Sequence, residues 1–182
     1  MNKEFYREYR LKDGRKLVVR TATAEDSKEY SQLLHCCGAE TDNLSFGVND
    51  CPYTEEFCSS YLKALNENPS SLALLAFVDD ALVGELTLST QQRRLSHTAE
   101  LGICVLEAYW GLGIGNILID LAVCLSREAG LLHSLFLTVN AENEVGLHLY
   151  RKYGFQEYGR YCASTYFADD YHDTILMNLY LK

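Results

Sequence analysis

Residues 109–116 read Tyr109-Trp110-Gly111-Leu112-Gly113-Ile114-Gly115-Asn116. They follow the apolar run of residues 99–105 (AELGICV) and open a second apolar stretch that stops at Gly130. Three alternate glycines remove three side chains, so a ligand can approach the backbone closely. In a helix starting here, the first N–H groups have no partner one turn back and point outward with the positive end of the helix dipole. Strand, glycine turn and helix together make an anion site suited to a pyrophosphate. Two nucleotide motifs fit poorly. A loop ending GK[ST] would need Lys where Asn116 stands. A dinucleotide fingerprint would need GxGxxG in an early βαβ unit and an acidic residue about twenty positions on, where this chain has Leu135. A glycine turn that binds nothing is the third reading.

A second pattern follows the next apolar strand. Residues 138–155 read TVNAENEVGLHLYRKYGF. Asn143 and Tyr150 are about two helical turns apart and share one face. An amide at one level can hold a cofactor's polar arm, and a phenol further along can hold or protonate a group at its reactive end.

Together these stretches resemble the Gcn5-related N-acetyltransferase (GNAT) superfamily. Its glycine turn, Q/R-x-x-G-x-G/A, corresponds to Trp110-Gly111-Leu112-Gly113-Ile114-Gly115, with Trp110 in the basic or amide position. Its N-x-x-A-x-x-L-Y-x-x-x-G-F corresponds to Asn143, Gly146 (for Ala), Leu149, Tyr150, Gly154 and Phe155. The resemblance implies an α/β fold of GNAT type: a mixed, mostly antiparallel sheet of about seven strands, splayed in the middle, with four helices on its faces. It implies one domain over residues 1–182 and acetyl-CoA as cosubstrate, with no metal. Its cofactor-binding residues would be Ile103, Cys104, Val105, Trp110, Gly111, Leu112, Gly113, Ile114, Gly115, Asn116, Asn143 and Tyr150.

The implied reaction is attack of a neutral primary amine, on a small molecule or a protein, on the thioester carbonyl. The carbonyl oxygen needs a donor, by resemblance the backbone N–H of Val105 where that strand splays. The leaving thiolate needs a hydrogen bond or proton, and Tyr150 is the matched position. The amine must lose a proton. Glu100, a carboxylate on the cofactor strand, is the expected base, against the plainer reading of an edge carboxylate. A non-catalytic acyl-CoA sensor on the same fold is the alternative.

Periodicity and punctuation give the order β-α-α-β-β-β-α-β-α-β-β. A strand over 16–21 opens at an Asp13-Gly14 turn. Helices are expected over 25–37, capped by Thr23 or Thr21, and from Thr54 to about 66–69. Strands over 71–78 and 81–90 join at Asp79-Asp80 as a hairpin. A third strand covers 97–106. Helices over 111–129 and 142–152 flank a strand over 131–139. Strands over 155–161 and 174–181 close the chain around a Tyr- and Asp-rich loop.

Composition narrows the setting. A net charge of −9 on 182 residues argues against nucleic acid and suits a cationic acceptor. No apolar run reaches the roughly 18 residues of a membrane span, and the N-terminus lacks a secretory h-region, so cytoplasm is expected. Seven cysteines without CxxC read as reduced and structural. Cys104 and Cys124 are expected in the core, and His35-Cys36-Cys37 lacks a second ligand pair. His97 and the loop residues Tyr53, Tyr166, Tyr171, Asp169 and Asp170 are candidates for an acceptor mouth. His148 is expected at the surface and His133 partly in the core. Exposed C-terminal edge strands suit a homodimer.

Overall fold

The computed structural model describes residues 4–181. Its elements are β1 (Tyr6–Arg10), β2 (Lys16–Thr21), α1 (Ser27–Glu40), α2 (Glu55–Glu67), β3 (Leu72–Val78), β4 (Ala81–Thr90), β5 (Thr98–Val105), α3 (Ile114–Ala129), β6 (Ser134–Asn140), α4 (Glu144–Lys152), β7 (Gln156–Phe167) and β8 (Asp170–Tyr180). The strands form one sheet in the order β1-β2-β3-β4-β5-β6-β8-β7. All neighbours are antiparallel except β5 and β6, which run parallel over three residue pairs.

Each strand splits its side chains between two cores because successive residues face opposite sides. In β3, Leu72, Leu74 and Ala76 join the core under α3 and α4, while Ala73 and Leu75 face α1 and α2. In α3, Leu118, Ile119 and Ala122 are fully buried on the first face. On the second, Leu33, Leu34 and Cys37 of α1 meet Cys58, Leu62 and Leu65 of α2. The two cores put a helix layer on each side of the sheet.

The sheet has eight strands, against about seven expected. The additional strand is β1, whose YREYR carries no apolar alternation and is mostly exposed. It is held by antiparallel pairing with β2 and by Tyr9, which packs against the core. α1 begins at Ser27, two residues later than expected, because residues 24–26 form a tighter 3₁₀ turn capped by Thr23. There the Asp26 carboxylate accepts the Thr23 N–H at 2.7 Å and pairs with Arg20. α3 begins at Ile114 rather than residue 111, because Gly111 and Gly113 hold φ of 75° and 94° and make a turn first. The Tyr- and Asp-rich loop is instead the end of a long hairpin. Ala168 and Asp169, at φ 50° and 60°, form its two-residue turn. Asp79 and Asp80 do the same between β3 and β4, as expected. Cys124 is exposed on α3 rather than buried, and none of the seven cysteines is paired.

Candidate active site

The parallel pairing of β5 with β6 ends at Glu100 opposite Phe136. Beyond it, β5 keeps β4 on one side and opens a gap on the other. The Leu106 N–H bonds Val83 at 2.9 Å and the Gln91 N–H bonds Thr98 at 3.0 Å. Even-numbered residues of β5 therefore face β4, and the main-chain groups of Ile103 and Val105 face the gap. The Val105 carbonyl is taken by the indole N–H of Trp110 at 2.6 Å. Trp110, half exposed, thus ties the glycine turn to β5.

At the end of that turn Gly113 caps α3 with no side-chain bond. The first backbone bond into the helix is from the Ile117 N–H to the Gly113 carbonyl, 3.1 Å. The amides of Ile114, Gly115 and Asn116 precede it, with the positive end of the helix behind them. Two ammonium groups flank them. Lys12 donates to the Gly111 carbonyl at 3.4 Å, and Lys152 donates to the side-chain oxygen of Asn116. Tyr153 holds the Asn116 carbonyl at 2.8 Å. No local pattern marks these lysines: Lys12 precedes β2 and Lys152 ends α4, and only the fold brings them to the turn.

A cavity of about 970 Å³ runs from these lysines along the open edge of β5 to the space between β4, α1 and α2. It gathers Glu100, Ile103, Cys104, Val105, Trp110, Gly111, Gly113, Ile114, Gly115, Asn116, Asn143 and Tyr150. Leu112, also expected there, packs on the core beneath the turn instead. Asn143 is the N-cap of α4, and its side-chain oxygen accepts the Gly146 N–H at 2.8 Å. A Cβ at position 146 would lie 2.7 Å from the Asn143 amide nitrogen, so glycine gives this cap its room. Tyr150 packs edge-on against Phe155 with ring centroids 5.9 Å apart. Burial, reinforced by the charge of Glu85, pushes its phenol up to about 12, so it stays protonated at neutral pH.

Glu85 is the residue that sequence reasoning missed. Within ALVGELTLST it reads as one polar position in an apolar strand. It is 4% exposed, lines the cavity, and accepts the Tyr30 hydroxyl at 3.3 Å. Burial pushes its carboxyl up to about 8, although hydrogen bonds from Tyr30 and Cys104 oppose the shift. Thr87, Ser89, Tyr53 and Tyr61 complete that end, with the Tyr61 hydroxyl 2.6 Å from the Ser89 oxygen. Glu100 lies exposed at the same end.

Other expectations separate. Tyr53 lines the cavity, its ring 5.0 Å from Phe46 and 5.6 Å from Phe57. Tyr166, Tyr171, Asp169 and Asp170 sit at the far tip of the β7–β8 hairpin, where the two tyrosines pack on each other. His97 meets His133 edge-on, with ring centroids 6.1 Å apart, near the start of β5 and β6 and away from the gap, because the His133 N–H bonds its carbonyl. His148 is exposed, as expected, but also borders the cavity.

Comparison with known proteins agrees with this geometry. The family model described as "Acetyltransferase (GNAT) family" matches residues 34–155. The L-amino acid N-acetyltransferase AaaT of Escherichia coli (strain K12) is 33% identical over 93 residues, 50% of this chain and 57% of that protein. The spermidine N(1)-acetyltransferase of Vibrio cholerae serotype O1 is 27% identical over 157 residues, 83% of this chain and 90% of that protein. The matches to the Escherichia coli protein and to a probable N-acetyltransferase of Drosophila melanogaster span little more than half of each relative, 57% and 54%. A crystal structure of a GNAT-family acetyltransferase from Streptococcus pneumoniae superposes with TM-score 0.87 at 28% identity, covering 91% of this chain and 99% of that one.

Proposed function

The chain belongs to the acetyltransferase (GNAT) family, and from that premise we propose that it transfers the acetyl group of acetyl-CoA to a primary amine by direct attack. One observation carries the reading. The open amides of Ile114, Gly115 and Asn116, flanked by Lys12 and Lys152, share a cavity with Tyr150 and the carboxylates of Glu85 and Glu100. Cations and helix dipole at one end suit phosphates, and carboxylates and tyrosines at the other suit an amine.

In this reading the pyrophosphate rests on the turn, Gly111 to Asn116, and the pantetheine arm runs along Ile103, Cys104 and Val105. Asn143 contributes its free amide nitrogen. The Val105 N–H, which faces the gap, receives the thioester oxygen as charge builds on it. Tyr150 serves the sulfur, and magnitudes limit how. A thiolate whose thiol titrates near 8.5 cannot strip a phenol near 12 without an uphill transfer of roughly 3 to 4 pKa units, about 5 kcal/mol. The phenol therefore hydrogen-bonds the departing sulfur and passes on a proton only as it gains one from the nitrogen. The amine's first proton needs a carboxylate; of the four that line the cavity, Glu100 and Glu85 stand on the two central strands β5 and β4, while Glu40 and Asp42 lie at and beyond the end of α1, where Glu40 accepts the Glu107 N–H.

The named relatives act on an amino acid and on spermidine, and a small cationic amine fits the acidic end of this cavity. A cytoplasmic setting fits seven unpaired cysteines. The exposed edge strand β7 is where a second copy would pair. The test is incubation of the protein with acetyl-CoA and a panel of primary amines, with release of coenzyme A thiol and product mass recorded. The reading predicts amine-dependent thiol release with a matching N-acetylated product. Retention of acetyl-CoA without release on any amine would mark a sensor instead.

A further inference from the structure

We infer that Glu85, rather than Glu100, is the carboxylate that takes the proton of the acceptor amine, and that the pocket around it admits a small primary ammonium. This rests on the acetyl-transfer reading above. The register of the sheet places the two carboxylates differently. Glu85 stands directly opposite Cys104, the residue between Ile103 and Val105, whose amides face the gap. A directly opposed pair sits about 5 Å apart across strands. Glu100 pairs with Ser89, four residues further along, roughly 13 Å down the strand at about 3.3 Å per residue.

The surroundings agree. Glu85 is 4% exposed and aimed into the cavity, where it accepts the Tyr30 hydroxyl at 3.3 Å. Tyr30 of α1, Tyr53 before α2, Tyr61 of α2, Cys104 of β5 and Tyr150 of α4 all sense its charge. None of these five is a cation, so an arriving ammonium would supply the missing counter-charge, with tyrosine faces as its walls. Glu85 is also the carboxylate whose charge raises Tyr150, while that of Glu100 reaches Tyr61. Chemistry then favours the buried group. An ordinary carboxylate near 4.5 would be a poor sink for an ammonium proton, whereas Glu85, at about 8, narrows the gap to an alkylammonium near 10.4 to roughly 2 to 3 pKa units.

The substrate enters as R–NH₃⁺ and gives one proton to the Glu85 carboxylate. The freed nitrogen lone pair forms the C–N bond at the thioester carbonyl, and the C–S bond breaks with its electron pair going to sulfur. A second nitrogen proton reaches that sulfur by exchange through the Tyr150 hydroxyl. The third stays on the amide. Glu85 then returns its proton to solvent.

The test uses the full chain with acetyl-CoA and four probe amines: putrescine, spermidine, leucine and a tetrapeptide with a free N-terminus. Glu85→Gln keeps an acceptor for Tyr30. It should lower kcat by about 10²–10⁴-fold while the KM for acetyl-CoA stays within about threefold. It should also lose the rise in kcat centred near pH 8 and keep only the limb that belongs to the amine. Glu100→Gln should cost less than about tenfold, and Glu85→Asp should recover part of the rate with a shifted pH profile. If Glu85→Gln fails to fold, the Asp variant and the wild-type profile decide. An unshifted profile in Asp would overturn the proposal. So would an active enzyme in which Glu85→Gln keeps both rate and profile, or in which Glu100→Gln alone abolishes turnover. No turnover on any probe by the wild type would remove the acetyl-transfer reading itself, and this proposal with it.

Discussion

Tyr150 and Glu85 are both ionisable, line the same cavity, the first partly and the second fully buried, and are both pushed upward by desolvation. The phenol is thereby kept neutral, and the carboxyl is brought into the titrating range of an enzyme working near neutrality. Replacing Tyr150 with Phe keeps the ring packed on Phe155 and removes only the hydroxyl. Turnover should fall by roughly 10²–10⁴-fold, with acetyl-CoA affinity nearly unchanged. Steady-state rates beside calorimetric binding would check it, and unchanged turnover would take Tyr150 out of the chemistry. Glu85 also carries a stability signature. Its folded value of about 8 exceeds the ordinary 4.5, so the folded chain binds the extra proton between those values. Its contribution to stability is then fully present below about pH 4.5 and declines as pH rises to about 8, by several kcal/mol at most. Melting curves should show Glu85→Gln losing less stability than wild type between about pH 4.5 and 8. Parallel curves would mean that Glu85 titrates normally.

Among the elements, the glycine turn with α3 was the most legible, because its signal is local. Two glycines at positive φ set the turn, and the apolar period sets the helix. Gly113 and Gly115 separate two uses of glycine. Gly113 holds φ 94° with nothing within 4 Å of where a Cβ would stand, so Gly113→Ala meets only backbone strain, about 1–2 kcal/mol. Gly115 has no such φ, and its Cβ would meet Leu149 at an ordinary 3.4 Å. Gly113→Ala should lower both melting temperature and acetyl-CoA affinity, and Gly115→Ala should leave stability within about 0.5 kcal/mol. Equal losses in both would show that the turn is not what strains. β1 was illegible because YREYR has no apolar face and owes its form to β2. Glu85 was illegible for the opposite reason. One polar letter inside an apolar strand does not say whether it meets solvent or a cavity, and the answer came from α1 packing Tyr30 over it. Both halves of the motif could be read as residues, but not the commitment of Asn143 to capping α4.

Across the whole molecule, the sheet pairs β5 with β6 at one end only, and the cavity fills the space where they part. That gap unites a cationic end, from residues far apart in the chain, with an acidic, aromatic end between β4 and the α1–α2 layer. A net charge of −9 hints at the second and hides the first. The double substitution Lys12→Ala with Lys152→Ala should weaken acetyl-CoA binding by about tenfold at low salt and flatten its salt dependence, since each exposed ammonium contributes up to about 1 kcal/mol. Titrations at two ionic strengths would measure this, and an unaltered salt slope would leave the lysines without a role in binding. The most direct test follows the amides themselves. In ¹⁵N-labelled protein titrated with acetyl-CoA, the backbone resonances of Ile114, Gly115 and Asn116 should move most, with those of Ile103 and Val105. If they stay fixed while acetyl-CoA binds elsewhere, the site described here is not where the cofactor lies.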